Sequence, residues 1–364
     1  MSRADRCHMA RALVLARRGL TTTDPNPRVG CVIALGNERI GEGWHERAGA
    51  PHAEVNALAA AGQRAEGATA YVTLEPCAHI GRTPPCTDAL IGARLARVVV
   101  ATIDPNPLVR GSGIARLRKA GIAVEVGLLE GEARTLNPGF FQRMQAGRPY
   151  VRVKLAASLD GRTATADGES RWITGEPARA DVQRFRARSS AILSGIGTIL
   201  RDNPRLTVRP SVVRPPLRVI VDSRFRTPPG ARLFRESGPV LIAGVAGAAG
   251  AAQILRVSGA EIAVFEATQG RVPLADLLGL LATRGVNELW TEAGPTLAGS
   301  LIGEGLADEI ILYLAPRLLG ASARGLFDLP GLLRLEESPR LKIVDVRPVG
   351  DDWRVIARLE NTGQ

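Results

Sequence analysis

The sequence predicts an α/β protein made of two successive domains, and three observations point there. Strand-length apolar runs alternate with segments of helical periodicity along most of the chain. The alternation restarts at MQAGRPY (144–150), which puts a boundary near Gly147 and divides the chain into 1–147 and 148–364. A length of 364 residues is long for one hydrophobic core and comfortable for two. Strands that alternate with helices imply layered units with a largely parallel sheet.

In the first half, residues 3–19 place apolar positions on one helical face and stop at Gly19, and TTTDPNPR (21–28) is a proline-bearing loop. RVGCVIAL (28–35) is a strand, NER (37–39) a turn, and RIGEGW a second strand. Pro51 starts a helix that runs to Ala61 with Gly62 as its stop, placing His52 and Glu54 in the first turn. ATAYVTLEP (68–76) is a strand, PCTDALIGAR (85–94) opens a helix after Pro85, and ARVVVATIDPNP (96–107) is a buried strand entering a loop. A short helix over 113–121 and a strand over 122–129 follow. The second half repeats the alternation with strands VRVKLAAS, SAILSG, LRVIVDS, PVLIAG, AEIAVF, ELWTEA and DEIILYLAP, and with helices over 176–189, 273–284 and 295–305. AGVAGAAGAAQ (243–253) reads as a loop and short helix, and RPSVVRPP (209–216) as a surface loop.

Composition narrows the function classes. No apolar run is long enough to span a bilayer, and the arginine-punctuated N-terminus is unlike a secretory signal. Four cysteines, two of them at ligand-like positions, argue against a disulfide framework and for a reducing, cytoplasmic setting. The net charge is +11, and only Lys119, Lys154 and Lys342 of the 47 basic residues are lysines. The arginines are scattered and aromatic residues are few, so compositional bias explains the charge better than a nucleic-acid surface.

The chemistry concentrates in PHAEVNALAAAGQRAEGATAYVTLEPCAHIGRTPPC (51–86). His52, Cys77 and Cys86 are three candidate metal ligands, and Glu54 follows the histidine by two residues. Three protein ligands, one open position and a neighbouring carboxylate are the parts of a hydrolytic zinc site. Thiolates favour zinc over hard cations, and a zinc-activated water attacks a ring carbon bearing an amino group while a glutamate moves the protons. Zinc base deaminases carry H-x-E followed by P-C-x-x-C. Here H-A-E and the first P-C are present, but eight residues separate Cys77 from Cys86. A single cysteine is more often a small core residue than a ligand, and Cys7 and Cys31, which have no partner in the pattern, take that reading. His45 and His79 stay open between spare ligand, substrate contact and solvated side chain.

NPRVG (26–30), GWHERAGAPHAEVNAL (43–58), TLEPCAHIGRTPPCTDALI (73–91) and DPNP (104–107) together closely resemble the bifunctional deaminase–reductases of riboflavin biosynthesis. The GRTPP insert before Cys86 is that family's own variant of the deaminase motif. The resemblance implies a cytidine-deaminase-like α/β/α sandwich over 1–147 that acts on a phosphoribosylaminopyrimidine. It gives zinc ligation to His52, Cys77 and Cys86 and the proton shuttle to Glu54. It surrounds the substrate with Asn26, His45, His79, Arg82, Asp104 and Asn106.

From spacing alone the second half is less informative. SGIGT (194–198) and EAGPTLAGS (292–300) read as ordinary strand-to-helix turns, neither being G-x-G-x-x-G, and Trp172 and Lys154 read as a core aromatic and a solvated amine. The resemblance continues, however, through 154–175, RDNPRLTVR (201–209), VIVDSR (219–224), LWTEAGPTLAGSLI (289–302) and LAPRLLG (314–320), and implies a dihydrofolate-reductase-like α/β domain over 148–364 that uses NADPH. It assigns Ala156, Trp172, Thr198, Asp202, Ser223, Gly294, Pro295, Thr296, Leu297, Ala298, Gly299 and Ser300 to the cofactor. Ser170, Arg186, Leu206, Arg209 and Glu292 fall to the substrate, the two arginines as phosphate contacts, with Lys154 and Asp160 as catalytic or orienting groups. The implied reactions are deamination of 2,5-diamino-6-(5-phosphoribosylamino)pyrimidin-4(3H)-one and NADPH-dependent reduction of the resulting ribosyl chain. The expected partners are this small molecule and further copies of the chain as a dimer or tetramer, with no membrane and no nucleic acid. The alternatives are a zinc deaminase with a non-catalytic C-terminal binding or dimerisation domain, and an RNA-binding deaminase.

Overall fold

The computed structural model describes residues 1–81, 84–209 and 214–360 and divides the chain into two compact units, Met1–Arg148 and Pro149–Gln364. Among the described residues no helix is long and apolar enough to cross a membrane.

The first unit runs α1 (Arg3–Ala16), β1 (Gly30–Leu35), β2 (Glu38–Trp44), α2 (Ala53–Ala61), β3 (Thr69–Val72), α3 (Cys86–Gly92), β4 (Arg97–Val100), α4 (Ser112–Lys119), β5 (Ala123–Val126), α5 (Glu130–Leu136) and α6 (Pro138–Ala146). Ser2 and Asp5 form a capping box that starts α1. The sheet order is β2-β1-β3-β4-β5, with β1 antiparallel to both neighbours and only β3, β4 and β5 mutually parallel. Alternation along β1 sends Cys31 and Ile33 to a layer with Ala57, Leu90 and Leu117, and Val32 and Ala34 to a layer with Met9, Leu13 and Leu136. Two glycines bring α2 against β2: a Cβ on Gly41 or Gly43 would meet the Ala57 backbone at 2.2 or 2.4 Å. The start of α2 is thereby fixed over the sheet.

The second unit contains β6 (Tyr150–Ser158), β7 (Arg162–Ala164), α7 (Glu176–Arg188), β8 (Ala191–Gly195), α8 (Ile196–Asp202), β9 (Leu217–Val221), β10 (Val240–Val245), α9 (Gln253–Val257) and β11 (Glu261–Phe265). It continues with α10 (Leu274–Thr283), β12 (Glu288–Glu292), α11 (Pro295–Gly303), β13 (Glu309–Ala315), β14 (Arg324–Gly325), β15 (Leu341–Val349) and β16 (Asp352–Leu359). Nine strands form one sheet in the order β11-β10-β9-β8-β12-β6-β13-β16-β15, parallel from β11 through β13 and antiparallel at β16 and β15. Val153, Leu193 and Val219 pack under Leu277, Leu281 and Leu301 on one face, and Ile192, Ile220 and Trp290 under Val182 and Leu255 on the other.

Several expectations change. His52 is the N-cap of α2 rather than a first-turn residue. Cys7 is exposed, so of that pair Cys31 alone fits the core reading. The sequence reading left 130–146 and 341–359 without elements, yet they hold α5, α6, β15 and β16. The signals for α6 were Pro138 in its first turn and Gly147 as a left-handed cap. Residues 210–213 of the proline-rich loop lie outside the described residues.

Near the start of β6, Arg152 is 3% exposed and donates from Nε to Glu309 at 2.8 Å while pairing with Glu288. Burial opposes its charge, but the two carboxylates outweigh burial and raise its pKa further. Removing one member of such a buried set leaves uncompensated charge. Arg152→Ala is expected to lower the stability of the second unit by about 3–5 kcal/mol. Arg64→Ala, which loses the exposed pair with Glu38 at 2.7 Å, should cost less than about 1 kcal/mol. Urea unfolding of the two variants, followed by tryptophan fluorescence, measures the difference.

Candidate functional sites

In the first unit, a helix start and two strand-end loops bring the candidate ligands together. His52 caps α2 in an extended conformation, Cys77 lies in the turn after β3, and Cys86 is the first residue of α3. His52 Nδ1 is 3.1 Å from Cys86 Sγ and 3.6 Å from Cys77 Sγ, and the three ligand atoms lie within 4.8 Å of one another. Zn–S and Zn–N bonds in a tetrahedron put N and S about 3.6 Å apart. The triad therefore fits zinc in donor type and in spacing. Bonds from the Cys86 thiol, and then from His52 and the Cys86 backbone N–H, hold Cys77 toward its thiolate form.

Glu54, 3% exposed in the first turn of α2, has its pKa raised by burial. His45 resolves into a fixed ring: Nδ1 meets the Pro51 carbonyl at 3.1 Å and Nε2 meets Asn26 Nδ2 at 3.0 Å. The Pro51 bond assigns the proton to Nδ1, so Nε2 accepts from Asn26. With both nitrogens engaged, His45 is not a spare ligand, and burial lowers its pKa. Asp104 is buried in the loop after β4, where its carboxylate accepts from the Asn106 backbone at 2.8 Å. Burial raises its pKa to about 6, reinforced by Glu75 and Cys77. His79 is exposed in the loop after Cys77, and Arg82 lies outside the described residues.

Sequence reasoning missed Glu75. This buried carboxylate accepts backbone N–H bonds from Asp104 (3.2 Å), Gly111 (2.9 Å), Gly113 (3.0 Å) and Ile114 (3.2 Å). It fastens the start of α4 and the Asp104 loop to the turn that carries Cys77. A Cβ on Gly113 would fall 1.9 Å from the Pro76 carbonyl oxygen, so α4 and that turn touch backbone to backbone. The signal was a glutamate beside the P-C motif, followed by the glycines at 111 and 113.

In the second unit, a cleft of about 2450 Å³ opens along the C-terminal ends of β6, β8, β9 and β12. That volume exceeds what one small ligand needs. Lys154, Glu292 and Arg186 line its floor. Arg186 donates to both Glu292 oxygens, at 2.5 and 2.7 Å, and to the Thr207 carbonyl at 2.7 Å, while Trp290 Nε1 donates to Glu292 at 2.6 Å. Burial alone would push the Glu292 carboxyl up, but the Arg186 guanidinium prevails and holds it at about 2. Lys154 is half-buried in the lining of the cleft rather than fully solvated, and burial lowers its pKa.

The same cleft collects Ala156, Ser170, Trp172, Thr198, Asp202, Leu206, Arg209, Ser223, Gly294, Pro295, Thr296, Leu297 and Ser300. Trp172 is 64% exposed, with the Arg179 guanidinium 4.7 Å from its ring, so the core-aromatic reading fails. Gly195 and Gly294 cap α8 and α11 and leave helix-start N–H groups at the cleft, a setting suited to a pyrophosphate. Ala298 and Gly299 sit on the buried side of α11, Gly299 against the Asp328 carbonyl, and do not line the cleft. Asp160 also lies outside the lining, accepting from Ser158, Leu319 and Gly320 and so clamping a loop.

Residues 2–102 match the cytidine and deoxycytidylate deaminase zinc-binding region, and residues 149–355 match the RibD C-terminal domain. The chain is 50% identical to the riboflavin biosynthesis protein RibD of Escherichia coli (strain K12) over 362 residues, 96% of this chain and 97% of the relative. It superposes on a form of Acinetobacter baumannii RibD with a TM-score of 0.91 at 45% identity, covering 98% of this chain and 99% of that one. A diaminohydroxyphosphoribosylaminopyrimidine deaminase/5-amino-6-(5-phosphoribosylamino)uracil reductase from Thermotoga maritima superposes with a TM-score of 0.83 at 33% identity, covering 98% and 99%. With a zinc-binding deaminase unit, a dihydrofolate-reductase-like NADPH-dependent unit and this full-length likeness, the chain belongs to the RibD family of bifunctional deaminase–reductases of riboflavin biosynthesis.

Proposed function

We propose that the two sites act in turn on one molecule, 2,5-diamino-6-(5-phosphoribosylamino)pyrimidin-4(3H)-one, the substrate class carried by the name of the Thermotoga relative. The observation that supports this most is the pairing of a His-Cys-Cys triad and buried glutamate in one unit with a cleft larger than one small ligand needs in the other. His52, Cys77 and Cys86 would hold zinc, which when bound would make a water acidic enough to react at neutral pH. Glu54 takes the proton of the attacking water and returns protons to the ring nitrogen and the leaving amine, a role suited to a carboxyl whose pKa burial has raised. The ring is positioned by Asn26 and His45, which hold each other, and by Asp104 and Asn106 across the site, with His79 and Arg82 as further contacts.

In the second unit NADPH supplies a hydride. The protein's task is to hold the opened sugar chain against the nicotinamide and to keep water out. The Arg186–Glu292 pair forms a rigid floor, and Lys154 delivers a proton to the heteroatom on the reduced carbon. Because the Arg186 donors are committed to Glu292 and Thr207, we assign the substrate phosphate to Arg209 at the exposed rim, with Ser170 and Leu206 bordering the sugar. The cofactor lies along Ala156, Trp172, Thr198, Asp202, Ser223 and the 294–300 turn and helix.

Thiolate ligands suit a reducing cytoplasm. We also infer self-association through β15, the edge strand of the large sheet, where Ile343 is 61% and Val346 52% exposed beside Trp353 at 49%. Such an edge invites pairing with a second copy. The scattered arginines give no reason to add a nucleic-acid partner.

Three outcomes are expected. Glu54→Gln should retain zinc and lower ammonia release by about 10²–10⁴-fold while leaving NADPH oxidation on the deaminated intermediate intact; loss of both activities would contradict separate sites. Arg209→Ala should raise the KM for the phosphorylated intermediate about 10-fold or more with an unchanged KM for NADPH, which steady-state kinetics resolves. Val346→Lys should shift sedimentation toward the monomer, and an unaltered profile would place the contact elsewhere.

A further inference from the structure

Beneath the cleft of the second unit, Arg354, Asp181, Tyr313, Phe185 and Trp290 touch one another in a chain that ends on the cleft floor, and none of them lines the cleft itself. Strand register puts the sheet members of this chain on one face. Tyr313 on β13 pairs with Arg354 on β16, and through β6 the same face carries Lys154, Trp290 and Glu292. α7 packs on that face. Its Asp181 is 5% exposed and accepts from the Tyr313 hydroxyl at 2.8 Å and from Arg354 at 2.7 Å. A second carboxylate, Asp345 on β15, accepts from the other arm of Arg354 at 3.0 Å and steadies the guanidinium from outside.

Four residues after Asp181, on the same side of α7, Phe185 meets that guanidinium, which lies 5.5 Å from its ring centroid. Arg354 therefore grips two successive turns of the helix. The Phe185 ring also stacks on Trp290, with 5.1 Å between centroids and 11° between planes. Trp290 is fully buried and directs its indole N–H to Glu292 at 2.6 Å. Arg186, the residue after Phe185, donates to both oxygens of the same carboxylate at 2.5 and 2.7 Å. Phe185 thus stands where the donors to Glu292 meet: it pins the indole, and its neighbour in the chain is the guanidinium.

The sheet order keeps Arg354 away from the reacting groups. β16 lies three strands from β12, about 14 Å at the usual strand spacing, so Arg354 acts on Glu292 through α7 and not by contact. A helix rises about 1.5 Å per residue, and a slide of α7 by part of that step would move Arg186 and release the indole. Apolar packing is non-directional and tolerates such a slide, whereas a guanidinium bonded to a carboxylate on the helix does not. A shift of about 1 Å near reacting atoms can cost about 100-fold in rate. Resting on the reading above that sets the sugar chain over the Arg186–Glu292 floor, we propose that Arg354 and Phe185 are positioning residues for the reduction. Arg354 fixes the register of α7 on the sheet, and Phe185 passes it to the Trp290 and Arg186 bonds that orient Glu292.

Steady-state reduction of the deaminated intermediate by the full zinc-loaded chain tests this. The variants are Phe185→Leu, Arg354→Lys, Glu292→Gln and the double variant Phe185→Leu/Glu292→Gln. Ammonia release reports an intact first unit and the KM for NADPH an intact cleft. Phe185→Leu and Arg354→Lys should each lower kcat about 10- to 100-fold while changing the KM for NADPH less than about two-fold. Because Phe185 acts through Glu292, the double variant should be within about two-fold of Glu292→Gln alone. Losses that multiply in the double variant give Phe185 a role independent of Glu292 and overturn the proposal. A wild-type kcat in Phe185→Leu or in Arg354→Lys, with Glu292→Gln slowed, overturns the assignment of that residue and leaves the floor reading standing. If Glu292→Gln reduces at the wild-type rate, the floor reading fails and the proposal with it. Should Arg354→Lys not fold, Asp345→Asn takes its place, since it frees one arm of the same guanidinium and keeps the bond to Asp181. It should lower kcat in the same way, and a wild-type kcat there overturns the role of Arg354.

Discussion

A parallel strand ends with backbone groups that its neighbours do not use, and the chain must then leave the sheet to cross back. This constraint places the chemistry in both units. Cys77 follows β3 and Asp104 follows β4; Ser223 follows β9, and Glu292 closes β12 in register with Lys154 on β6. Helix starts arrive at the same ends, bringing Cys86 on α3 and the turns at Gly195 and Gly294. Such strand ends can carry reactive side chains because the sheet beneath them is rigid and fully bonded, while their own backbone groups remain free for ligands.

The loops at those ends still have to be held, and the two units do this with different chemistry. In the first, one buried carboxylate, Glu75, gathers four backbone N–H groups and draws the Asp104 loop and the start of α4 onto the Cys77 turn. In the second, Arg186 holds Glu292 with two bonds and Thr207 with a third, fixing the floor of the cleft to the loop that leads to Arg209. A carboxylate that accepts only backbone N–H bonds needs no buried cation beside it. In the cleft of the second unit a guanidinium does the holding instead.

The sequence was most informative where chemistry demanded particular residue types at short range. The clustering of His52, Cys77 and Cys86 and the strand-helix alternation could be read directly, because ligand type and hydrophobic period are local properties. What escaped was set by distant partners. Glu75 reads as one more acidic residue until α4 turns its first N–H groups toward it. Lys154 and Trp172 both left their expected environments: the amine is half-buried in the cleft lining, and the indole stands 64% exposed at the cleft. β15 was missed because its apolar residues stay exposed and give no half-buried alternation. Ala298 and Gly299 show the limit of a contiguous motif, since a helix turns about 100° per residue and carries part of any such run away from the ligand.

Two acidic side chains illustrate how environment rather than residue type assigns a role. Asp104 and Glu292 are both removed from water, and burial alone would favour the neutral acid in each. Beside Asp104 stand Glu75 and Cys77, which add to the effect of burial, and its carboxyl rises to about 6. Beside Glu292 stands Arg186, and the carboxyl falls to about 2, so it stays ionised across the working range and serves as a fixed charge. The same burial thus leaves one carboxyl titrating near 6 and makes the other a fixed charge, according to the neighbours each one has.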